Sequence, residues 1–413
     1  MKKQSNTPKI RFHNYKELWE CDDLKNIFGT IRNAFVGTAT PYYVEKGHFY
    51  LESNNVKNGK INYNSQIFIN DEFYEKQRDK WLKTNDIVMV QSGHVGHTAV
   101  IPKELNNTAA HALIVFTDYK KEVNPHFLNY QFQSSSKRKK LDLISTGNTI
   151  KHILASEMKS FKMDFPTVEE QSAIGSLFRT LDALLTSYKD NLANYQSLKA
   201  TMLSKMFPKA GEAVPEIRLD GFEREWKKSK LKDVAHRVQG NDGRMDLPTL
   251  TISASGGWMN QIDRFSANIA GKEQKNYTLL KKGELSYNHG NSKLAKYGVV
   301  FELQDYEEAL VPKVYHSFRV NQLADAKFIE IMFSTKIPDR ELGKLISSGA
   351  RMDGLLNISF DDFMNIAIII PTIEEQQAIG AYFSILDNLI ATHQEKISQL
   401  ETLKKKLLQD MFI

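Results

Sequence analysis

Two long segments of the chain place apolar residues in alternating steps of three and four, the spacing of one face of an α-helix. Each segment begins at a proline, Pro166 or Pro371, and each runs to a Met-Phe pair. The pattern predicts one long helix over residues 166–207 and a second over residues 371–413. The apolar positions of the predicted helix interface are Ile174, Phe178, Leu181, Leu185, Tyr188 and Leu192 in the first helix, and Ile379, Phe383, Leu386, Ile390, Ile397 and Leu400 in the second.

Both predicted helices have a defined start. Thr167 with Glu170, and Thr372 with Glu375, have the spacing of a capping box, in which threonine and glutamate satisfy amide groups of the first turn. Roughly 37 helical residues at about 1.5 Å each form a rod of about 55 Å, too long for one small domain to surround. We therefore expect the two helices to pack on each other as an antiparallel coiled coil.

Further apolar residues widen the stripe on each helix, which leaves room for a third helix from a partner. Gly175 and Gly380 lie within the second turn of the predicted helices. A helical glycine costs about 0.5 to 1 kcal/mol relative to alanine. Close approach of another backbone would explain the glycines, and inheritance without function is the alternative.

The two helical segments are copies of each other. Residues 166–207 align with residues 371–412 without a gap, and 17 of the 42 positions are identical. A second match, Pro-x-Ile-Arg followed by Trp and Leu-Lys, precedes each copy, at Pro8 and at Pro215. The chain therefore consists of two tandem halves: residues 1–165 and 215–370 are the diverged domains, 166–207 and 371–413 the helices, and 208–214 a linker.

The middles of the two halves have diverged almost beyond recognition. Short β-like runs such as Ile87–Val90, Leu113–Phe116 and Tyr297–Phe301 alternate with helical pieces such as Pro125–Phe132 and Lys327–Phe333. This mixture predicts an α+β fold. The repeated segments at the ends of each half are similar, whereas the residues between them are not. This suggests one scaffold that carries two binding specificities, although drift of a duplicated structural domain gives the same pattern.

Polar, glycine-bearing loops follow several predicted strands. Such loops can approach phosphates while their side chains contact base edges, but ordinary turns have the same composition. The candidates for DNA contact in these loops are Gln91, Ser92, His94, His97, Asn148, Asn288, His289, Asn291, Lys293 and Arg351. The run Lys137, Arg138, Lys139, Lys140 is the sharpest basic cluster, suited to phosphates, with a solvated helix end as the alternative.

Composition narrows the class of protein. A formal net charge of +6 and a pI of about 8.9 give a mild preference for polyanions such as DNA. One cysteine, Cys21, excludes an internal disulfide and a cysteine-based zinc site. The amino-terminal residues lack an apolar signal segment, and no apolar run is long enough to span a membrane. We therefore expect a cytoplasmic protein.

The Pro-Thr-(Val/Ile)-Glu-Glu-Gln-x-Ala-Ile-Gly openings, the Met-Phe endings and the Pro-x-Ile-Arg…Trp…Leu-Lys segments resemble those of type I restriction-modification specificity subunits. The resemblance spans essentially the whole chain. It implies two α/β target-recognition domains with an internal pseudo-twofold repeat, separated by the two helices. It further implies that each domain binds one half of a split double-stranded DNA site, that the helices set the spacer and dock two methyltransferase subunits, and that restriction subunits join them.

Motifs for catalysis by the chain itself are missing from the sequence. It lacks the Gly-x-x-x-x-Gly-Lys-(Ser/Thr) loop of nucleotide translocases, and also the glycine-rich turn and the Asn/Asp-Pro-Pro-aromatic tetrapeptide of DNA methyltransferases. We therefore expect a non-catalytic subunit, with S-adenosylmethionine, ATP and magnesium bound by its partners. The alternatives are a two-rod scaffold without DNA binding and, less well supported, a free-standing DNA-modifying enzyme.

Overall fold

The structure, a computed structural model, describes residues 7–147, 150–265, 271–290, 293–346 and 355–413. The chain forms two compact units, of which unit 1 is assembled from two segments distant in sequence and unit 2 from one continuous segment. Unit 1 comprises the residues up to Asp190 together with Glu395–Ile413. Unit 2 comprises Asn191–Gln394. Each predicted long helix is therefore shared between the two units.

Unit 1 contains short strands, short helices and parts of the two long helices. Its strands are β1 (Glu20–Asp23), β2 (Phe28–Asn33), β3 (Tyr43–Val44), β4 (His48–Leu51), β5 (Val56–Lys57), β6 (Lys60–Ile61), β7 (Ile67–Ile69), β8 (Ile87–Val90), β9 (Thr98–Val100), β10 (Ala109–Ala110), β11 (Leu113–Tyr119) and β12 (Lys162–Phe165). Its helices are α1 (Leu24–Ile27), α2 (Asp71–Glu75), α3 (Pro125–Gln133), α4 (Ser135–Ile144), α5 (Ala155–Met158) and the first part of α6 (Val168–Lys205).

The central sheet of unit 1 is antiparallel, in the order β2-β11-β8-β9. Its two middle strands are apolar on both faces, since successive residues of a strand point to opposite sides. Met89 and Phe116 pack with α3 on one face, and Val88 and Val115 pack toward Leu51 on the other. A second sheet, in the order β10-β4-β7-β3, supplies that other side. The predicted α+β class is confirmed.

Unit 2 repeats this plan with smaller accessory sheets. Its strands are β13 (Lys227–Lys230), β14 (Ala235–Arg237), β15 (Leu250–Ser253), β16 (Gly257–Asn260), β17 (Thr278–Lys281), β18 (Leu285–Asn288), β19 (Val299–Glu302), β20 (Glu308–Val311), β21 (His316–Val320) and β22 (Ala367–Ile370). Its helices are α7 (Leu231–Val234), α8 (Gln261–Phe265), α9 (Ala326–Ser334), α10 (Asp339–Lys344), α11 (Phe360–Met364) and the first part of α12 (Ile373–Asp410).

The central sheet of unit 2 has the order β14-β21-β18-β19, which matches that of unit 1 strand for strand. Each unit is also closed by an antiparallel pair formed by its first and last strands. In unit 1 β1 pairs with β12, and in unit 2 β13 pairs with β22. The repeated sequence frames are thus the parts that close each domain, and the diverged middles lie between them.

Within each unit, a segment of α6 runs antiparallel to a segment of α12. In unit 1 the Phe178 and Phe412 rings are 5.7 Å apart, and Lys189 Nζ lies 2.6 Å from Glu401 Oε1. In unit 2 the ring of Tyr195 lies 5.1 Å from that of His393. The antiparallel pairing predicted from the periodicity is confirmed inside both units.

The first half of each apolar stripe belongs to a domain core as well as to the helix pair. This changes the interpretation of these residues as a coiled-coil seam. Ile174, Phe178 and Leu181 lie in one core with Phe127 of α3, while Ile379, Phe383 and Leu386 lie in one core with residues of α9. Leu185 is also buried. The remaining predicted interface residues are half-buried: Tyr188, Leu192, Ile390, Ile397 and Leu400.

A glutamine in each repeated opening binds the start of a neighbouring helix. Gln171 Oε1 accepts a hydrogen bond from Asn124 N at 3.0 Å, and Gln376 Oε1 accepts one from Asp325 N at 3.0 Å. Asn124 and Asp325 are the N-caps of α3 and α9. The repeated glutamine therefore fixes the same helix start in both units.

The two helical glycines make room for these N-caps. A Cβ atom on Gly175 would lie 2.9 Å from Asn124 Oδ1, and one on Gly380 would lie 3.2 Å from Asp325 Oδ1. Such distances are too short for a side chain without movement of the neighbour. Both glycines are thus closely approached by the start of α3 or α9. The nearest atom belongs to the side chain of the N-cap residue instead of to the predicted backbone, and a backbone atom, Phe127 N at 3.3 Å, is among the three nearest atoms at Gly175 alone of the two.

The repeated glutamates bind arginines instead of completing capping boxes. Glu170 N donates to Thr167 Oγ1 at 3.4 Å, as predicted. The buried Glu170 carboxylate accepts two bonds from Arg11, each of 2.7 Å, which raise the pKa of the arginine. Glu375 accepts two from Arg218, of 2.8 and 2.7 Å. The predicted role of the glutamates was wrong, because a buried carboxylate pairs with the guanidinium that the other repeated segment supplies.

Candidate nucleic-acid interface

Two polar loops of unit 1 that are distant in sequence form one structure. The loop between β8 and β9, residues 91–97, lies beside a second segment whose described residues are 145–147 and 150–153. Gly93 N donates to Lys151 O at 3.0 Å, and Ile153 N donates to Gln91 O at 2.9 Å. Within this second segment, Thr146 and His152 exchange two backbone hydrogen bonds, of 2.9 and 2.8 Å. We call this structure loop pair 1.

The predicted contact residues of loop pair 1 differ in exposure. Gln91 and Ser92 are half-buried, and the side-chain oxygen of Gln91 is buried with no hydrogen-bond partner in the part of the chain that the structure describes. His94 is exposed and its Nε2 lies 3.2 Å from Ser53 O. His97 accepts a hydrogen bond from Asn58 N at 3.2 Å. Burial and the adjacent Arg138 lower the pKa of His97 to about 4, so its ring is neutral at pH 7.

The basic run on α4 separates into a structural lysine and three residues nearer the surface. Lys137 is fully buried and ion-paired with Asp164, so its predicted contact with phosphates was wrong. Burial lowers its pKa. Lys139 and Lys140 are exposed. Arg138 is half-buried, with Nη2 3.3 Å from Nε2 of His97.

Unit 2 brings the corresponding loops together. Leu356 N donates to His289 O at 2.9 Å, which joins the segment after β18 to the segment before α11. Lys293 is exposed in the first of these segments. We call the two segments loop pair 2, and their described residues are 288–290, 293–298 and 355–358. The predicted contact residues Asn148, Asn291 and Arg351 lie outside the described residues of the chain.

Two predicted contacts of unit 2 serve the fold. The Asn288 amide accepts from Gly290 N at 3.1 Å and donates to Ile252 O at 3.3 Å. The buried His289 ring lies between two backbone carbonyls, Leu356 O at 2.8 Å and Val314 O at 2.9 Å. Both side chains hold loop pair 2 in shape, and neither presents its polar groups outward.

A basic cleft of about 610 Å³ lies beside loop pair 1, and sequence reasoning missed most of its residues. His97 and Arg138 line it from the domain side, and α6 and α12 form the other wall. Lys60, at the start of β6, and Lys189 are isolated in sequence. Lys404 and Lys405 belong to a run of three lysines, but that run lies in the second predicted helix, far in sequence from the loops. The cationic side chains that line the basic cleft are Lys60, Arg138, Lys189, Lys404 and Lys405.

The described residues give two further observations. None of the described helices has both the length and the apolarity needed to cross a membrane. In the same part of the chain, three or more His, Cys, Asp or Glu side chains nowhere come together in a way that could hold a metal ion.

Comparison with known proteins identifies the two repeated domains. A family model described as "Type I restriction modification DNA specificity domain" matches residues 39–194 and again residues 223–402. The specificity subunit of the type I restriction enzyme EcoBI from Escherichia coli is 24% identical over 223 residues, which cover 52% of this chain and 47% of that protein. The MjaVIII specificity subunit from Methanocaldococcus jannaschii is 21% identical over 276 residues, 63% of this chain and 64% of that protein.

The alignments thus span between about half and two thirds of the length of these relatives. Among solved structures, the type I restriction-modification S subunit from M. genitalium has the same fold. It aligns over 98% of this chain and 99% of its own with a TM-score of 0.59 and 15% identity. Since the family model matches twice and covers well over half of the sequence, the chain belongs to the type I restriction-modification DNA specificity family.

Proposed function

We propose that the chain is the sequence-specificity subunit of a type I restriction-modification complex, in which each unit reads one half of a split DNA target. The observation that carries the proposal is a repeated scaffold that holds two different loop pairs. The Arg–Glu pair, the glutamine bond to an N-cap and the sheet order recur in both units. The loops on the corresponding strands, residues 91–97 and 288–298, share almost no sequence.

Loop pair 1 has the features that base reading requires. His94, Lys139 and Lys140 are exposed, and the half-buried Gln91 and Ser92 follow the end of strand β8. Side chains on a rigid strand end can meet base edges in the major groove, while lysines bind phosphates without sequence preference. The family description and the names of the relatives, which are specificity subunits, support DNA as the ligand.

The long helices offer surfaces for partner subunits. In unit 1, Leu184 and Leu403 are 42% and 44% exposed, and in unit 2 Ile385 and Leu198 are 60% and 37% exposed. Exposed apolar residues on long helices are typical of sites where another helix docks. We assign these surfaces to two methyltransferase subunits, with restriction subunits joining the complex and the helices setting the spacer between the half-sites.

Under this proposal the chain is non-catalytic and cytoplasmic. S-adenosylmethionine, ATP and magnesium bind to the partner subunits, and the chain supplies the choice of DNA sequence. A free-standing enzyme would instead bind S-adenosylmethionine or cleave DNA with a metal as the isolated chain. A scaffold without DNA binding would show no salt-dependent affinity for DNA.

The test is co-expression with a type I methyltransferase subunit with which the chain co-purifies, followed by sequencing that detects methylated bases in host DNA. The proposal expects one methylated motif with two short defined halves and a fixed unspecified spacer. An active methyltransferase that co-purifies with the chain but methylates no defined motif would contradict it. As a control, the methyltransferase expressed without the chain should leave the motif unmethylated.

A further inference from the structure

The basic cleft of unit 1 has a counterpart in unit 2. Both clefts lie between the paired segments of α6 and α12 on one side and the central domain of their unit on the other. Each contains one ion pair of the sequence repeat, Asp182 with Lys404 in unit 1 and Asp387 with Lys199 in unit 2. The volumes are about 610 and about 230 Å³. The repeat therefore places a cleft in both units, and the diverged residues decide its size and charge.

The two clefts carry different charge. The basic cleft of unit 1 has five lysine and arginine side chains and two carboxylates, Asp182 and Glu401. The unit 2 cleft has three cations and three carboxylates, and two of its cations are ion-paired, Lys199 with Asp387 and Lys327 with Glu330. An anion would therefore be attracted strongly to the first cleft and weakly to the second.

Part of the positive charge in unit 1 is unmatched. Lys404 and Lys189 have carboxylate partners at 2.6 Å. Lys60 shares the Asp182 carboxylate with Lys404 at the longer distance of 3.7 Å and lies 3.2 Å from Thr186 Oγ1, so one carboxylate serves two lysines. Lys405 is exposed at the rim of the cleft.

Arg138 adds a half-buried cation to this set. Burial lowers its pKa, although the charge of the nearby Asp142 carboxylate acts in the opposite direction, and among the described residues no carboxylate forms a direct ion pair with it. Its neighbour His97 is neutral. A half-buried guanidinium without a direct ion pair favours a bound anion, and phosphate oxygens match its donors.

The position of the cleft identifies the anion. His97 ends the loop of residues 91–97 and also lines the cleft. A DNA strand that contacts loop pair 1 would therefore pass directly into the basic cleft. We propose that the basic cleft binds backbone phosphates of the DNA half-site read by unit 1, whereas the unit 2 cleft makes no such contact. This inference rests on the proposed function, and it predicts that the two units contribute unequally to the electrostatic part of DNA binding.

The test uses the full-length chain in complex with its methyltransferase subunit and a mixed-sequence DNA duplex. The dissociation constant is measured over a series of salt concentrations. Each lysine that neutralises a phosphate contributes about 0.9 to the slope of log affinity against log salt. Exchange of Lys60→Gln together with Lys405→Gln should lower that slope by about 2. The matched control, Lys336→Gln in the unit 2 cleft, should leave the slope unchanged.

Charge-preserving variants keep the result interpretable. Lys60→Arg with Lys405→Arg should retain the slope of the unsubstituted protein, since both positions are exposed and keep their charge. An unchanged slope in the glutamine variant, with DNA still bound, overturns the inference and leaves the proposed function intact. If the glutamine variant no longer binds the methyltransferase subunit but keeps the salt dependence of its DNA binding, the inference is also overturned. The cleft would then bind an acidic surface of the partner protein. Failure of the unsubstituted complex to bind DNA contradicts the proposed function itself.

Discussion

The two repeated Asp–Lys pairs predict different costs for the same substitution. Lys404 Nζ lies 2.6 Å from Asp182 Oδ1, and the two side chains are only 15% and 10% exposed. The pair of Lys199 with Asp387 is 32% and 38% exposed. Lys404→Met therefore leaves a carboxylate that is largely buried, whereas Lys199→Met leaves one that is more accessible to solvent.

The size of the effect follows from the remaining partners. Loss of one member of a fully buried ion pair costs about 3 to 5 kcal/mol. After Lys404→Met, Asp182 keeps its hydrogen bond from Tyr130 Oη at 2.8 Å and has Lys60 at 3.7 Å. We therefore expect a cost of about 2 to 3 kcal/mol, which is less than for full burial. For Lys199→Met we expect at most about 1 kcal/mol.

Hydrogen–deuterium exchange measures this cost locally, which suits a chain with two units. In peptides from residues 174–190, Lys404→Met should accelerate exchange roughly 30- to 150-fold, since 1.4 kcal/mol corresponds to a factor of ten. Lys199→Met should accelerate exchange in its own unit by less than about fivefold. Adding Asp182→Asn to Lys404→Met should restore most of the protection by removing the unpaired charge. Equal effects of the two lysine substitutions would refute the reasoning from burial.

Three further predictions concern packing, the basic run and pH. Gly175→Val should lower the unfolding free energy of unit 1 by about 1 to 3 kcal/mol, because Asn124 leaves no space for a side chain. The melting temperature of unit 1 should fall accordingly, and an unchanged melting temperature would contradict this. Lys137→Met should destabilise unit 1 without changing DNA affinity in the folded state, whereas Lys139→Gln should weaken DNA binding without changing stability; binding and thermal melts that show the reverse would reject both assignments. The pKa of His97 is lowered to about 4 from its ordinary value of 6.5, so the unfolded chain binds more protons between these values. The contribution of His97 to the unfolding free energy should be fully present above pH 6.5 and should be lost as the pH falls toward 4. Denaturation of the His97→Asn protein should show a smaller loss of stability over this pH range. Equal losses in both proteins would contradict the assignment.

Local patterns predicted the elements of the fold because they depend on local physics. The run Ile87–Val90 forms β8 with the predicted bounds, and the piece Pro125–Phe132 forms α3 within one residue. The periodicity of the long helices showed which face is buried. It did not show what covers that face, so residues such as Phe178 looked like helix-pair contacts although they also belong to a domain core.

The candidate site was harder to predict, because its parts come together only on folding. Loop pair 1 joins residues 91–97 to residues 150–153 by hydrogen bonds that no local pattern encodes. The buried Lys137 did leave a signal, since it lies four residues before the buried Leu141 and so on the same face of α4. The charge of the run outweighed that spacing in the sequence-based interpretation.

The central claim is that each unit reads one half of the DNA target independently. The most direct measurement is the methylated motif produced by the complex before and after residues 8–165 are replaced by the corresponding domain of another family member. The account predicts that one half of the motif changes while the other half and the spacer, which the unaltered helices set, stay the same. A change in both halves, or a motif that follows the methyltransferase subunit instead of the exchanged domain, would contradict it.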